Sequence, residues 1–290
     1  MTPTYWLASY PKSGNTWLRM LLAALVLAPG ETLDINAPSE AGGMASAREP
    51  FDQITLLDSN IMTADEIDLL RPGVHAALAN GEYGREATKL DARFVKVHDA
   101  WVTTPQGAPL LAGARGAAGA VLVVRDPRSV APSLAHHTGV CVDEAIAFMA
   151  DEKFCFGGGT DLRPQQQLRQ RLLGWSHHAE SWLSQVEIPV LLLRYEDMIS
   201  DPARELARVL DFAGLPAAPA EIARAAAAAD FAQLQSQERE RGFRERPRHG
   251  KGPFFRQGRV DGWRDELTAA QAAQIVRDHA AMMRRLGYDA

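Results

Sequence analysis

Cysteine is nearly absent: Cys141 and Cys155 are the only two in 290 residues, and they show neither metal-ligand nor CxxC spacing. A disulfide framework and a zinc site are therefore not suggested, and a reducing cytoplasm is the compartment this usage implies. No uninterrupted apolar run reaches the roughly 20 residues that span a bilayer. The chain also lacks an excess of basic charge. A net charge of −5 argues against a nucleic-acid partner, so any anion site must be local. No internal repeat is apparent. What is present is a 46% hydrophobic composition, ample for a core, in a length that suits one large α/β domain or two ordinary ones.

The most informative stretch runs from Tyr5 to Leu27. It reads as an apolar strand (Tyr5 to Ser9), a polar loop Tyr10-Pro11-Lys12-Ser13-Gly14-Asn15-Thr16-Trp17, and an apolar helix. A helix N-terminus presents unpaired N–H groups and about half a positive charge, so this order predicts an anion-binding turn. Gly14 permits close backbone approach, Lys12 supplies a cation, and Ser13 and Thr16 supply hydroxyl donors. The loop is not a Walker A sequence, because its lysine precedes its only glycine. Lys12, Arg19 and the following apolar tract also have the charge order of a signal peptide. The polar loop between two apolar tracts favours a place in the core instead.

Three further apolar segments, Arg93 to Val97, Ala120 to Val124 and Pro189 to Arg194, read as parallel strands separated by helices. A helix is expected over Gln165 to Val186, with Leu168, Leu172, Trp175, Ala179, Trp182 and Val186 on its buried face. Another begins at Asp201-Pro202 and stops near Gly214, and the Ala- and Pro-rich residues 213–229 suggest a packed helix. No element is assigned between Asn36 and Gly84. Ser236 to Gly252, rich in Arg and Glu, reads as a solvated loop.

Ligands of parallel sheets bind at the carboxyl ends of strands. The four strands lead into Lys12, into His98-Asp99, into Arg125-Asp126-Pro127-Arg128-Ser129, and into Arg194-Tyr195-Glu196-Asp197. Asp126-Pro127 reads as a helix cap and first turn, which places Ser129 and Ser133 on one helix face near Arg125; Pro132 is expected to distort that helix. His98 suits a general base, with Lys96 or Asp99 as the neighbour that tunes or orients it, and Lys12 suits stabilisation of negative charge. The pairs His136-His137 and His177-His178 read as half-buried or solvated residues.

The string Tyr10-Pro-Lys-Ser-Gly-Asn-Thr-Trp17 resembles the 5′-phosphosulfate loop of the PAPS-dependent sulfotransferases of cytosolic type, PAPS being 3′-phosphoadenosine 5′-phosphosulfate. Arg125 and Ser133 resemble that family's 3′-phosphate pair. Phe255-Arg256-Gln257-Gly258, with Asp261-Gly262-Trp263 after it, resembles its C-terminal phosphate segment, although Gln257 replaces a usual lysine. Trp17 and Phe231 resemble the aromatics at the adenine, and Tyr195 a tyrosine that contacts it. The resemblance extends from about Tyr5 to Trp263. It implies a single α/β domain over 1–290, with a central parallel β-sheet flanked by helices and a P-loop-like strand-loop-helix. Residues 36–84 and 232–255 would form an acceptor-side cap and a mobile lid. The donor would be PAPS and the product PAP, with Lys12, Ser13, Gly14, Asn15, Thr16, Trp17, Arg125, Ser133, Tyr195, Phe231, Arg256, Gln257 and Gly258 at the nucleotide and Lys12 and His98 catalytic. No metal is demanded. The partner would be a small-molecule or lipid-like acceptor with a hydroxyl, less readily an amine, bound beside Trp101 and Phe51, without nucleic acid or integral membrane association. The family's animal-type dimer motif is matched only by Arg264 and Thr268, so a homodimer, if formed, would not use it. A P-loop kinase and a non-catalytic PAP-binding module are the alternative readings.

Overall fold

The structure is a computed structural model that describes residues 2–28, 30–37, 43–81, 89–157, 167–246, 252–256 and 258–289. Its first strand β1 (Thr4–Ser9) leads into helix α1 (Asn15–Leu25), followed by α2 (Arg48–Thr55) and α3 (Ala64–Ala79). Strands β2 (Arg93–Val97) and β3 (Gly119–Val124) come next, then α4 (Pro127–Thr138), α5 (Val142–Ala150), and the short strands β4 (Cys155–Phe156) and β5 (Gln170–Arg171). The chain continues through α6 (Trp175–Ser184), β6 (Val190–Arg194), α7 (Tyr195–Ser200), α8 (Pro202–Ala213), α9 (Pro219–Ala228), α10 (Phe231–Arg241) and α11 (Ala269–Arg285). Four strands form one parallel sheet in the order β2-β1-β3-β6, and β4 pairs antiparallel with β5.

Both inner strands are buried along all six residues, as expected of a parallel sheet covered on two faces. The two-residue period of β1 divides its side chains between two cores. Tyr5 and Leu7 join Val121 and Val123 under α1, α8 and α9, whereas Trp6 and Ala8 join Leu122 and Val124 under α4, α6 and α11. Helix α1 buries ten of its eleven residues, which is why the apolar tract after the polar loop belongs to the core. Helix α8 starts at a cap by Asp201, whose carboxylate accepts from Arg204 N, and ends at left-handed Gly214 (φ 67°).

Four expectations need correction, the last being the distortion expected at Pro132. The helix over Gln165 to Val186 is confined to Trp175–Ser184. Leu173 adopts φ 60°, Gln170 and Arg171 pair with β4, and Val186 is 95% exposed. The regular apolar spacing there arose from two separate demands: Leu168 packs with Phe51, Ile67 and Val74, while Leu172 belongs to the core under α6. The unassigned Asn36 to Gly84 region contains α2 and α3. Thr63 and Glu66 form a reciprocal capping box, a Thr-x-x-Glu signal that Pro72 and Gly73 obscure farther along. Ser236 to Arg241, read as loop, is the second half of α10, capped by Asp230. Helix α4, by contrast, runs without interruption through Pro132.

One buried ion pair fixes the end of β2. Arg71 on α3 donates to both carboxylate oxygens of Asp99 (3.0 and 2.6 Å) and to the carbonyl of Arg169 (3.0 Å), with both side chains fully buried. Asp99 also accepts from Arg171 N at 2.8 Å. Removing one partner of such a pair strands the other charge, at a cost of about 3–5 kcal/mol. Arg71→Met is therefore expected to lower unfolding stability by about that amount, read as a fall in the urea midpoint, and a change under ~0.5 kcal/mol would contradict the assignment.

Candidate active site

The carboxyl ends of the four strands open into one cavity of about 460 Å³. Its walls include Lys12, Gly14, Asn15, Thr16 and Trp17 from the first loop and helix, and Lys96 and His98 from β2 and the turn after it. Arg125, Ser129 and Ser133 come from β3 and α4, and Tyr195 from the end of β6. Phe231, Arg256 and Gly258 close the opposite wall. Of the expected site residues, Gln257 lies outside the described residues, and Ser13, although buried in the loop, is not among those walls.

The loop departs from ordinary backbone at two positions. Lys12 has φ 71° and Gly14 φ 107°, both in the left-handed region. At Gly14 a Cβ would lie 2.6 Å from Cδ2 of Tyr195, so glycine is required by both conformation and space. Asn15 holds the loop to the sheet, donating to the carbonyl of Leu7 at 2.7 Å and to Ser9 Oγ at 3.2 Å. Its amide is thus committed to positioning. Ser13 Oγ is buried without a hydrogen-bond partner.

Positive charge converges here with little compensation. Burial, then Lys96, Arg125 and Arg256, pull the Lys12 ammonium down to about 7. Its Nζ lies 3.9 Å from the ring centroid of Phe254. Arg125 stacks over Tyr195 at 4.3 Å and donates to the carbonyl of Lys12 at 3.2 Å, while its Nε is buried and unpartnered. Arg256 is held by both oxygens of Glu266. Ser129 donates to the carbonyl of Val260 at 2.8 Å, so Ser133 is the α4 hydroxyl that remains for a ligand beside Arg125.

The tautomer of His98 follows from its partner. Nδ1 lies 2.8 Å from the carbonyl oxygen of Ser9, which can only accept, so Nδ1 carries the proton and Nε2 retains its lone pair. Burial and the Lys96 charge push the imidazolium well below its usual range, so the ring is neutral at physiological pH. The orienting group is the backbone of Ser9; Asp99 does not serve, being tied to Arg71.

Several residues depart from their expected placement. Asp99 and Arg194 are not in the cavity, Arg194 stacking over Tyr288, whereas Asp126 caps α4 as expected and pairs with Arg128 at 2.7 Å. Trp101 packs on Trp182 and Phe51 is buried in a separate cluster, so neither lines an acceptor pocket. Trp17 donates its indole N–H to the carbonyl of Ala229 at 2.8 Å and touches Tyr195 edge-on. Phe231 is half-buried and fills the space beside Gly258, where a Cβ would meet it at 2.5 Å. His137, passed over as one of a histidine pair, does line the cavity, as do Met44, Phe156, Gln167, Gln170 and Glu245. No short-range pattern announced these residues.

Because Lys12 titrates near 7 in the free protein, an oxyanion that favours its charged form must draw a proton as pH rises. Below that value the ammonium is already charged and affinity is flat; above it, affinity for a diphosphate-bearing ligand falls by up to ~10-fold per pH unit. Calorimetry at pH 8.5 in two buffers of different ionisation enthalpy is expected to show net proton uptake, which Lys12→Met abolishes.

The chain is similar to known proteins along nearly its whole length. The sulfotransferase domain family model matches residues 2–287. The chain is 26% identical over 284 residues to flavonol 3-sulfotransferase of Flaveria bidentis, covering 93% of this chain and 78% of that protein. It is 26% identical over 219 residues to cytosolic sulfotransferase 14 of Arabidopsis thaliana, covering 72% and 53%. Its fold is similar to that of the mouse sulfotransferase SULT7A1 complexed with PAP (TM-score 0.58, 17% identity, 98% of this chain and 84% of that one). It is similar as well to retinol dehydratase in a complex with retinol and PAP (TM-score 0.58, 19% identity, 100% and 83%). With a family match across nearly its whole length, the chain belongs to the PAPS-dependent sulfotransferases.

Proposed function

We propose that this enzyme transfers the sulfuryl group of PAPS to a hydroxyl of a small-molecule acceptor, with His98 as base and Lys12 at the leaving phosphate. The observation that carries the proposal is the placement of Lys12, His98, Arg125 and Ser133 around one cavity at the carboxyl edge of a parallel sheet. The loop of residues 10–16 would receive the 5′-phosphosulfate, through the N-terminus of α1 and the Lys12 ammonium. Arg125 and Ser133 would receive the 3′-phosphate, and Trp17, Tyr195 and Phe231 supply aromatic surface for the base. Arg256, Gly258 and, by the sequence resemblance, Gln257 would close that side, with residues 232–255 as the lid and 36–84 as the cap.

In the reaction, the His98 Nε2 lone pair takes the acceptor hydroxyl proton as the new O–S bond forms. The bond from sulfur to the bridging phosphate oxygen breaks, and its electron pair leaves with PAP. Growing charge on that oxygen is met by Lys12 and the first N–H groups of α1. A neutral His98 held by Ser9 is ready to accept a proton, so the base needs no deprotonation step.

Calorimetric titration with PAP, ADP and magnesium-ATP side by side tests the donor assignment. PAP is expected to bind most tightly; a preference for magnesium-ATP would return the loop to the kinase reading. Arg125→Ala should shrink the gap between PAP and ADP by ~10-fold or more, the value of a lost charge-assisted hydrogen bond. His98→Ala should preserve PAP affinity and lower turnover by about 10²–10⁴-fold. An unchanged rate would assign the base elsewhere, and intact PAP binding without turnover in the wild type would favour a binding module.

A further inference from the structure

The sheet order distributes the cavity's functions. From one edge to the other, the strand ends bring His98 and Lys96 (β2), Lys12 (β1), Arg125 (β3) and Tyr195 (β6). On the donor reading above, the two phosphates occupy the β1 and β3 ends, which leaves the β2 end for the acceptor. The inference that follows rests on that reading.

The β2 end is charged in an unusual way. Glu245, half-buried, places one carboxylate between two buried cations: Oε1 is 2.6 Å from Arg19 on α1, and Oε2 is 3.4 Å from Lys96. It is carried by a surface segment just after α10 and flanked by Arg244 and Arg246, which are exposed and also line the cavity. The same end offers Gln167 and Gln170, the latter with a buried Oε1 that has no partner. Two buried cations thus share a single carboxylate, and two more cations, Arg244 and Arg246, line the same cavity, in a chain whose net charge is −5. A buried ammonium stripped of its counter-ion is costly, so a neutral acceptor cannot take the place of Glu245, whereas an acceptor with its own carboxylate can.

We propose that the acceptor is an anionic hydroxyl compound whose carboxylate engages Lys96 and the Arg244 and Arg246 side chains, and that Glu245, which keeps its closer bond to Arg19, holds the place of that carboxylate at Lys96 in the free enzyme. The acceptor hydroxyl then lies toward His98, two residues beyond Lys96, and Gln170 Oε1 accepts from a second hydroxyl where one is present. Glu245 acts as an internal competitor as well as a tie between the segment and β2. A plain tie would treat every acceptor alike. An internal competitor discriminates by charge.

Three phenols of similar size and different charge separate these possibilities: 3-(4-hydroxyphenyl)propionate, 4-propylphenol and tyramine, titrated into the PAP-saturated protein. The propionate is expected to bind ~10-fold or more tighter than 4-propylphenol, with tyramine weakest. Glu245→Gln should tighten the propionate several-fold and leave 4-propylphenol unchanged, and Lys96→Gln should remove the preference. Failure of the propionate to bind, equal or tighter binding of 4-propylphenol, or a Glu245→Gln effect shared by all three probes would overturn the proposal. Failure of PAP itself to bind would remove the donor reading beneath it, whereas PAP binding without charge preference removes this inference alone.

Discussion

The organisation of this protein turns on holding like charges together. Lys12, Lys96, Arg125 and Arg256 share one partly enclosed cavity, and the carboxylates among its walls, Glu245 and Glu266, each serve particular cations rather than neutralising the whole. Burial and mutual repulsion draw Lys12 down to about 7, so the free site stores an electrostatic demand that an anion relieves. The rest of the fold supplies the rigidity that keeps those charges from separating. Parallel strands fix the strand ends, Arg71 and Asp99 fix the turn after β2, and Glu238 accepts from the backbone of Phe254 and Phe255 to hold the wall opposite Lys12.

The same scaffold sets the state of His98. His98 owes its tautomer to a backbone carbonyl of β1, an atom that no substitution removes. Its own carbonyl accepts from buried His178 on α6 at 3.2 Å, so the residue is fixed at backbone and ring by neighbours from two different elements. Lys96 then does two things. Its charge helps keep the imidazole neutral, and its bond to Glu245 ties the segment after α10 to the strand that leads into His98. The first loop, His98 and the end of β2 are therefore connected through side chains that also line the cavity.

Much of this was legible beforehand, for specific reasons. A strand, polar loop and helix at the N-terminus are written in contiguous residues, and the loop's backbone is dictated locally, so Lys12, Gly14 and Trp17 were identifiable. Strands β2, β3 and β6 are short apolar runs whose ends carry His98, Arg125 and Tyr195, and α4 is announced by Asp126-Pro127. The misreadings have physical causes. Leu168, Leu172 and Trp175 keep helical spacing across a chain reversal because each answers to a different core or element. Residues 64–79 hide a helix behind an internal proline and glycine. Asp99 sits beside His98 in sequence, yet strand alternation turns it away, where Arg71 claims it.

The sequence by itself determined the local elements and the residue types offered at each strand end, since propensity, capping and two-residue alternation act over a few neighbours. It also pointed to the family, because the loop Tyr10 to Trp17 is one continuous string. Only the tertiary structure decided which charges meet. Glu245 lies 149 residues from Lys96 and 226 from Arg19, and Asp99 lies 28 residues from Arg71. Such pairings follow from sheet order and helix packing, in which a side chain's neighbours come from remote parts of the chain and its charge is worth what the enclosed space around it makes it worth.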